Sequence, residues 1–481
     1  MNQYTDRALD TAHARGATYA DVRIVRRTTE DIELKNGVIE ALAQDESYGF
    51  GVRVLADGAW GFASSRDVSH GEIDRVAAQA VAIAKASASV SRQPVVLAPE
   101  APVRDRYATP IERDPFTVPL DEKIEYLLRA DAAARAVKGL AIFQGSLHAW
   151  REDKTFASSE GSFIEQTLTQ TGLGMHATAV NDDDVQERSY PDSFGQWMSK
   201  GWEITNEYDL PAHAERVATE AVQLLSAPQC PSGPTTIILD GPQMAIQIHE
   251  SCGHPIELDR VLGMEAAYAG TSFLTTDKLR SSYRYGSECV NMTADATLPG
   301  GLGSFGYDDE GVPAQRTDIV KDGIFHGYLT DRQTAALIGL ERSGGCSRAE
   351  NWNRLAMIRM TNVSLLPGTW LLDDLIADTR DGLYILTNRS WSIDDKRLNF
   401  QFGCELAYEI KNGKLGRMFK NPTYQGMTPQ FWGGCDAVCN NDHWTIWGTP
   451  NCGKGQPGQV GHTGHGAAPA RFRNIQVGVI G

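Results

Sequence analysis

Four dipeptides, each with glycine as its second residue, constrain the fold of this 481-residue chain more than any other feature. They are Asn36-Gly37, Asp57-Gly58, Asp322-Gly323 and Asn412-Gly413, and each lies between strand-like segments. A two-residue hairpin turn of type I′ needs positive φ at both central residues, which Asn, Asp and Gly tolerate best. The pairs therefore predict β-hairpins, and hence largely antiparallel sheet, in both halves of the sequence.

Helical segments are interspersed among these hairpins. We predict helices at about residues 5–15, 72–86, 121–137 and 211–225. The pattern lacks regular βαβ units, so it favours an α+β fold over a parallel α/β fold.

A segment rich in helix and strand breakers predicts a domain boundary near the middle of the chain. Residues 227–234 read Ala-Pro-Gln-Cys-Pro-Ser-Gly-Pro and separate two periodic regions. A chain of this length also exceeds what one ordinary hydrophobic core supports. We predict two domains, residues 1–230 and residues 231–481, each with largely antiparallel sheet and packed helices.

Composition excludes several classes of protein. A net charge of −16 argues against nucleic-acid binding, which depends on Lys and Arg contacts to phosphates. The sequence contains no apolar run long enough to cross a membrane and no export signal at its first residues. We therefore expect a cytoplasmic protein that binds neither nucleic acid nor membrane, with its eight cysteines reduced.

The segment His249-Glu250-Ser251-Cys252-Gly253-His254 has the residue types of a hydrolytic metal site. Neutral imidazoles bind zinc, and a nearby carboxylate can accept a proton from a water that the ion activates. The segment lies on a predicted helix in the C-terminal domain, directly after a buried strand at 235–240.

The spacing of the two histidines is unusual. Five residues place them about 140° apart on an ideal α-helix. They can share one ion only where the helix widens or breaks, as a π-bulge does. Gly253 is the residue best able to permit this, and Pro255 is expected to move His254 out of the α region.

Several other interpretations of these residues remain open. Both histidines could be helix caps or core residues, with Glu250 exposed. Cys252 is interpreted as a core contact. A closed structural zinc site could instead combine Cys435, Cys439, His443 and Cys452.

Read with its flanks, the His-Glu segment resembles the TldD/PmbA family of metallopeptidases, in particular its zinc-bearing TldD branch. Other similar segments occur in the same order along most of the chain. They are residues 16–23 (Gly-Ala-Thr-Tyr-Ala-Asp-Val-Arg), 308–313 (Asp-Asp-Glu-Gly-Val-Pro), 323–331, 359–362 (Arg-Met-Thr-Asn) and 452–457 (Cys-Gly-Lys-Gly-Gln-Pro), the last of which resembles the family's Cys-Gly-Lys segment.

The resemblance implies specific roles for four residues. His249 and His254 would bind Zn2+, Glu250 would be the general base, and Cys452 would be the third ligand. It leaves the roles of His462 and His465 open. Each ligand histidine should also offer its second nitrogen to an acceptor. Glu257 and Asp259 are candidates, although an exposed helix end is the favoured interpretation of both.

The implied function is zinc-dependent hydrolysis of unfolded or short peptides, bound in extended form by strand addition. The family also implies a dimer, either a homodimer or a heterodimer with a related metal-free subunit. The alternative function is that of a non-catalytic peptide-binding subunit with a structural zinc.

Overall fold

The computed structural model describes residues 2–478 and has the expected α+β architecture with mainly antiparallel sheets. Met1 and residues 479–481, at the outer ends of the two predicted domains, lie outside the described residues. The division at residue 230 stays a prediction.

The first half of the chain is built around one eight-stranded sheet. Its strands run in the order β3-β2-β1-β5-β6-β4, and β7 and β8 also pair with β6. All pairings are antiparallel except that of β4 with β6. The strands are β1 (Tyr19–Lys35), β2 (Val38–Ala56), β3 (Ala59–Ser65), β4 (Arg104–Ala108), β5 (Leu140–Ser158), β6 (Phe163–Val180), β7 (Val185–Tyr190) and β8 (Gln196–Met198).

Helices pack on this sheet and form two hydrophobic clusters with it. The four helices predicted for this half are confirmed, with ends within a few residues of those expected. The helices are α1 (Asn2–Ala14), α2 (His70–Ala88), α3 (Leu120–Arg135), α4 (Ile204–Glu207) and α5 (Leu210–Ser226).

The second half is rich in strands, which belong mainly to one seven-stranded sheet. Five of these strands pair in a closed ring, β16-β9-β23-β19-β17 and back to β16, and β18 and β20 attach to it. The strands are β9 (Gly233–Leu239), β10 (Met292–Asp295), β11 (Arg316–Lys321), β12 (Ile324–Phe325), β13 (Ser347–Arg348), β14 (Met357–Ile358), β15 (Val363–Leu365), β16 (Asp381–Ile393), β17 (Asn399–Lys411), β18 (Lys414–Lys420), β19 (Thr423–Met427), β20 (Cys435–Val438), β21 (Thr445–Lys454), β22 (Gln459–Ala467) and β23 (Ala470–Val477).

The other sheets of this half are small, and one of them is the β21-β22 hairpin. Short helices connect the strands: α6 (Gly241–Ile248), α7 (Leu258–Val261), α8 (Thr276–Arg280), α9 (Arg332–Leu337), α10 (Leu372–Asp378) and α11 (Thr428–Gly433). Between residues 2 and 478, no helix combines the length and the apolar character needed to cross a membrane.

All four glycine-containing pairs connect paired antiparallel strands, as predicted. Each has positive φ at both residues, for example 47° and 79° at Asn36 and Gly37. The turns join β1 to β2, β2 to β3, β11 to β12 and β17 to β18.

Buried ion pairs join the two halves of the chain. Arg53 Nη1 lies 2.9 Å from Glu310 Oε1, and Lys154 Nζ lies 2.6 Å from Asp309 Oδ1. Arg23 Nη1 contacts the other Asp309 oxygen at 3.2 Å. Two of the three carboxylates of the Asp-Asp-Glu segment, those of Asp309 and Glu310, thus pair with cations of the N-terminal sheet.

Candidate metal centre

The helix that carries the His-Glu segment is fixed at its start by Asp240. Asp240 Oδ1 accepts a hydrogen bond from the backbone N–H of Gln243 (2.9 Å), and Oδ2 accepts one from that of Thr387 (3.1 Å). Pro242 occupies the first turn, where its missing N–H needs no partner. The cap and the proline therefore start α6 directly after β9 and tie it to β16.

The helix widens at the segment where the histidine spacing requires it. After Ile248 the chain makes one π-helical turn, His249–Gly253, followed by a 3-10 turn, His254–Ile256. The two imidazole rings consequently lie side by side, with centroids 4.8 Å apart. The predicted π-bulge is confirmed.

The expected effect of Pro255 on His254 is wrong. His254 has φ −64° and ψ −42°, which is right-handed helical. The steric restriction on a residue before proline is a preference, and the 3-10 turn His254–Ile256 accommodates a helical His254. Gly253 is also right-handed helical, with φ −57° and ψ −58°. Glycine is needed here for the close approach of Met360, since a Cβ at this position would lie 2.2 Å from Met360 Sδ.

Three buried side chains converge beside the π-turn: His249, His254 and Cys452. One ligand atom from each lies within 4.8 Å of the other two. Cys452 comes from β21, where it is paired with Gly461 of β22, and its Sγ lies 3.8 Å from His254 Nε2. A sulfur and a nitrogen bound to one tetrahedral zinc at the usual bond lengths lie about 3.5 Å apart. The donors are therefore spaced to hold one metal ion.

The alternative set of ligands is not assembled. Across the part of the chain that the structure describes, no other group of three or more potential metal ligands comes together. Cys435 and Cys439 are core residues, and His443 Nε2 accepts a hydrogen bond from the backbone N–H of Leu372. Cys252 is fully buried in the same core, as interpreted from the sequence.

Each histidine of the cluster uses its Nδ1 for a protein partner. His249 Nδ1 lies 2.8 Å from His465 Nε2, and His465 Nδ1 lies 2.9 Å from the carbonyl oxygen of Val363. His254 Nδ1 lies 2.9 Å from Glu257 Oε2. Both candidate ligand histidines therefore keep Nε2 available for a metal, in orientations that their partners fix.

Glu257 and Asp259 are buried, so the expectation of an exposed helix end is wrong for both. Glu257 is fully buried and Asp259 is 8% exposed. The fully buried Lys454 explains how they tolerate this, because its Nζ lies 3.3 Å from Glu257 and 2.7 Å from Asp259. Lys454, the lysine of the Cys-Gly-Lys segment, thus compensates the negative charge of Glu257, whose carboxylate contacts His254.

Burial and nearby charges shift the pKa values of all three side chains in the direction that favours metal binding. Burial lowers the pKa of His249 and lowers that of His254 still further, so both imidazoles are neutral. Burial opposes ionisation of Cys452, but the charge of Arg359 and the contact with His254 bring its thiol pKa below the usual value. Neutral imidazole and thiolate are donors that zinc accepts together.

Glu250 lies within the π-turn and is buried. Its Oε2 forms an ion pair with Nη1 of Arg397, which lies in the turn between β16 and β17 and has φ 61°. Arg397 is therefore a charged group next to the predicted general base.

Sequence reasoning missed Arg397 and left two other contacts undefined. Arg397 is 147 residues from Glu250 and belongs to no motif. Arg359 was noticed only as part of a similar segment, yet its Nη2 donates to the carbonyl oxygen of Cys452. His465 was named without a role. Only the fold brings these groups to the cluster.

Comparison with protein families gives one consistent result. The description "PmbA/TldA metallopeptidase C-terminal domain" matches residues 232–479, which is more than half of the chain. The domain 1 and central domain of the same family match residues 20–84 and 113–225. The chain belongs to the PmbA/TldD metallopeptidase family. The resemblance inferred from the motifs is confirmed.

Relatives and solved structures agree with this assignment. The chain is 32% identical to a metalloprotease of Methanocaldococcus jannaschii, over 93% of this chain and 94% of the relative. It is 23% identical to a zinc metalloprotease TldD homolog of Saccharolobus solfataricus, over 86% and 87%. TldE from Thermococcus kodakarensis has the same fold, with a TM-score of 0.73 and 15% identity over 98% and 99% of the two chains. The chain is thus an enzyme of the metallopeptidase class with a buried candidate site for a metal ion.

Proposed function

We propose that this member of the PmbA/TldD family is a zinc-dependent peptidase that acts on unfolded or short peptides bound in extended form. His249, His254 and Cys452 would hold the zinc ion, and Glu250 would be the general base. The observation that carries the proposal is the convergence of one ligand atom from each of the three residues within 4.8 Å, next to Glu250. The naming of the Saccharolobus relative as a zinc metalloprotease favours zinc over other ions.

The residues of the chain would divide the chemistry as follows. Zinc, when bound, would lower the pKa of a water at its open position and polarise the peptide carbonyl. Glu250 would accept the proton of the attacking water and pass it to the leaving amine. Arg397 would hold the Glu250 carboxylate in place through their ion pair. His465 and Glu257 would keep the two imidazoles oriented.

Two further parts of the proposal concern binding partners. Strand addition would bind the peptide through main-chain hydrogen bonds, with little dependence on its sequence. The chain would form a homodimer or a heterodimer with a related metal-free subunit. The shared fold of TldE is compatible with such a related partner. Light scattering of the purified chain, alone and mixed with a candidate partner, measures the assembly.

The metal and base assignments are tested with three variants. Zinc per chain is measured by mass spectrometry in the wild type, Glu250→Gln, Cys452→Ser and the control Cys439→Ser, with hydrolysis of casein-derived peptides followed in parallel. We expect about one zinc per chain, retained in Glu250→Gln without hydrolysis and lost in Cys452→Ser. Cys439→Ser should keep both zinc and activity, because Cys439 is a core residue outside the cluster.

Three outcomes would contradict parts of the proposal. Hydrolysis by Glu250→Gln would show that Glu250 is not the general base. Full zinc in Cys452→Ser would show that Cys452 is not a ligand. Full zinc in every protein, with hydrolysis by none of them, would favour the alternative of a peptide-binding subunit with a structural metal.

A further inference from the structure

A cavity lies between the N-terminal sheet and the C-terminal half, next to the candidate metal centre. Its volume is about 110 Å³, more than the roughly 30 Å³ that one water molecule occupies in the liquid. Strands β1, β5 and β6 supply one wall, and residues 304–305, 348–350, 359 and 459–462 supply the other. The second wall includes Gly461, the β-ladder partner of Cys452, and Arg359, which donates to the Cys452 carbonyl oxygen.

The side chains that line the cavity carry an excess of positive charge. Four cations face two carboxylates there: Arg27, Lys154, Arg348 and Arg359 against Glu152 and Glu350. Asp309 and Arg23, which lie behind Lys154, add one charge of each sign and leave the excess unchanged. Because burial lowers the pKa of His462 to about 3, this lining residue is neutral. The excess is notable in a chain whose net charge is −16.

Three of these arginines also have a donor without an acceptor. The Nε atoms of Arg27, Arg348 and Arg359 are buried and have no hydrogen-bond partner among the described residues. A buried N–H without a partner is costly, so such groups are normally satisfied by protein, water or ligand. Water molecules or a ligand with several acceptor atoms in this cavity would satisfy them.

The guanidinium groups are already held in place by their other contacts. Arg359, only 2% exposed, donates through Nη1 to the carbonyl oxygen of Gln459 (3.3 Å). Arg348 donates through Nη2 to that of His462 (2.8 Å) and lies 5.5 Å from the ring centroid of Phe305. Arg27 lies 5.0 Å from the ring centroid of Trp150. Fixed donors on rigid aromatic supports lose little conformational freedom when a ligand binds.

A carboxylate is the group that best fits this arrangement. Guanidinium groups bind planar carboxylates through paired N–H donors, and such charge-assisted bonds are among the strongest in proteins. The position of the cavity beside a peptidase centre makes a peptide the natural source of that carboxylate. A peptide can supply it as its C-terminus or as an Asp or Glu side chain.

We propose that this cavity binds a carboxylate group of the peptide substrate and so positions the peptide relative to the candidate metal centre. The proposal rests on the proposed peptidase function and adds a substrate preference to it. A C-terminal carboxylate in the cavity would place the scissile bond a short distance from the end of the peptide. An acidic side chain would place it near that residue instead.

The test measures binding to the full zinc-loaded chain carrying Glu250→Gln, so that peptides are not consumed. Fluorescence anisotropy compares N-terminally labelled hexapeptides of one sequence that end in a free carboxylate or in an amide. A second pair, both amidated, carries one internal Glu or Gln. We expect a peptide with a carboxylate to bind about tenfold more tightly than its neutral counterpart. The pair that shows the difference identifies the source of the carboxylate.

Two variants of adjacent residues locate the effect. Arg27→Gln should abolish most of the carboxylate preference, while Glu152 keeps Lys154 as a partner at 2.9 Å. The matched control Arg26→Gln should leave the preference intact, because Arg26 pairs with the exposed Glu46 away from this cavity. The peptide comparison needs no change at Arg27, so the test remains decisive if that variant does not fold.

Several outcomes would overturn the proposal. These are equal affinity within both peptide pairs, or binding of no peptide. A preference that survives in Arg27→Gln but falls in Arg26→Gln would place the carboxylate elsewhere. Hydrolysis by the wild type without any carboxylate preference would leave the peptidase function standing and remove only this inference. A carboxylate preference without hydrolysis by the wild type would support carboxylate binding in this cavity and contradict the peptidase function.

Discussion

His465 offers the sharpest single test of how the candidate metal centre is organised. The carbonyl oxygen of Val363 can only accept, so His465 Nδ1 must carry the hydrogen of their 2.9 Å contact. Burial lowers the pKa of His465 well below its ordinary value, so the ring is neutral and its Nε2 is an acceptor. His249 Nδ1 must then be the donor across 2.8 Å, which leaves His249 Nε2 as the free lone pair for a metal.

Replacing His465 with phenylalanine keeps an aromatic ring but removes both hydrogen bonds. The His249 Nδ1–H would lose its acceptor in a fully buried position, at a cost of about 1–3 kcal/mol. Loss of such an orienting partner usually weakens metal binding about 10- to 100-fold. We therefore expect the zinc dissociation constant of His465→Phe to rise by that factor.

The measurement is a competition for zinc between the protein and a chromophoric chelator at fixed pH. Thr463→Val is the matched control, because the Thr463 hydroxyl also approaches His465 Nε2, but at the longer distance of 3.4 Å. This control should change zinc affinity by less than about threefold. An affinity of His465→Phe within twofold of the wild type, with the protein folded, would refute the orienting role. An equal loss in Thr463→Val would show that general packing, not the imidazole pair, sets the affinity.

Three other predictions follow from individual contacts. Arg397→Gln should retain zinc but lower kcat about 10- to 100-fold, because the Glu250 carboxylate loses the partner that holds it; loss of zinc together with activity would contradict this. Gly253→Ala should lower the free energy of unfolding of the metal-free protein by about 1–3 kcal/mol, measured with urea, since the new Cβ would meet the buried Met360; an unchanged unfolding midpoint would refute the packing argument. Burial raises the pKa of Asp192 to about 7, so its contribution to stability should be complete below about pH 4 and decline by up to about 4 kcal/mol as the pH rises through 7. Asp192→Asn should therefore unfold at higher urea than the wild type at pH 8 but not at pH 4, and an equal difference at both pH values would contradict the shift.

The sequence predicted those parts of the structure that depend on residues close together in the chain, namely the hairpin turns and the π-turn. The hairpin pairs succeeded because Asn, Asp and Gly are the residues that tolerate positive φ at both turn positions. The π-turn followed from the five-residue spacing of His249 and His254, since no regular α-helix places both on one face. The prediction that Pro255 moves His254 out of the α region failed because the restriction on a residue before proline is only a tendency. A 3-10 turn accommodates a helical His254 there.

The remaining parts of the site depend on contacts between distant segments, which no local pattern encodes. His465 is 216 residues from His249, and Arg397 is 147 residues from Glu250. The burial of Glu257 could not be inferred either, because it depends on Lys454 arriving from another strand. Family resemblance supplied Cys452 where spacing could not.

The same long-range construction has a consequence for how metal binding relates to folding. Of the three proposed ligands, His249 lies on the π-turn that follows α6 and His254 begins the 3-10 turn after it. Cys452 lies on β21, 198 residues beyond His254. In an unfolded chain these donors would rarely meet, so the folded C-terminal half would bind zinc far better than the unfolded chain. Zinc should then raise the free energy of unfolding by an amount that grows with the logarithm of its free concentration. Because Cys452 must be a thiolate to bind, acid should weaken zinc binding and this stabilisation together.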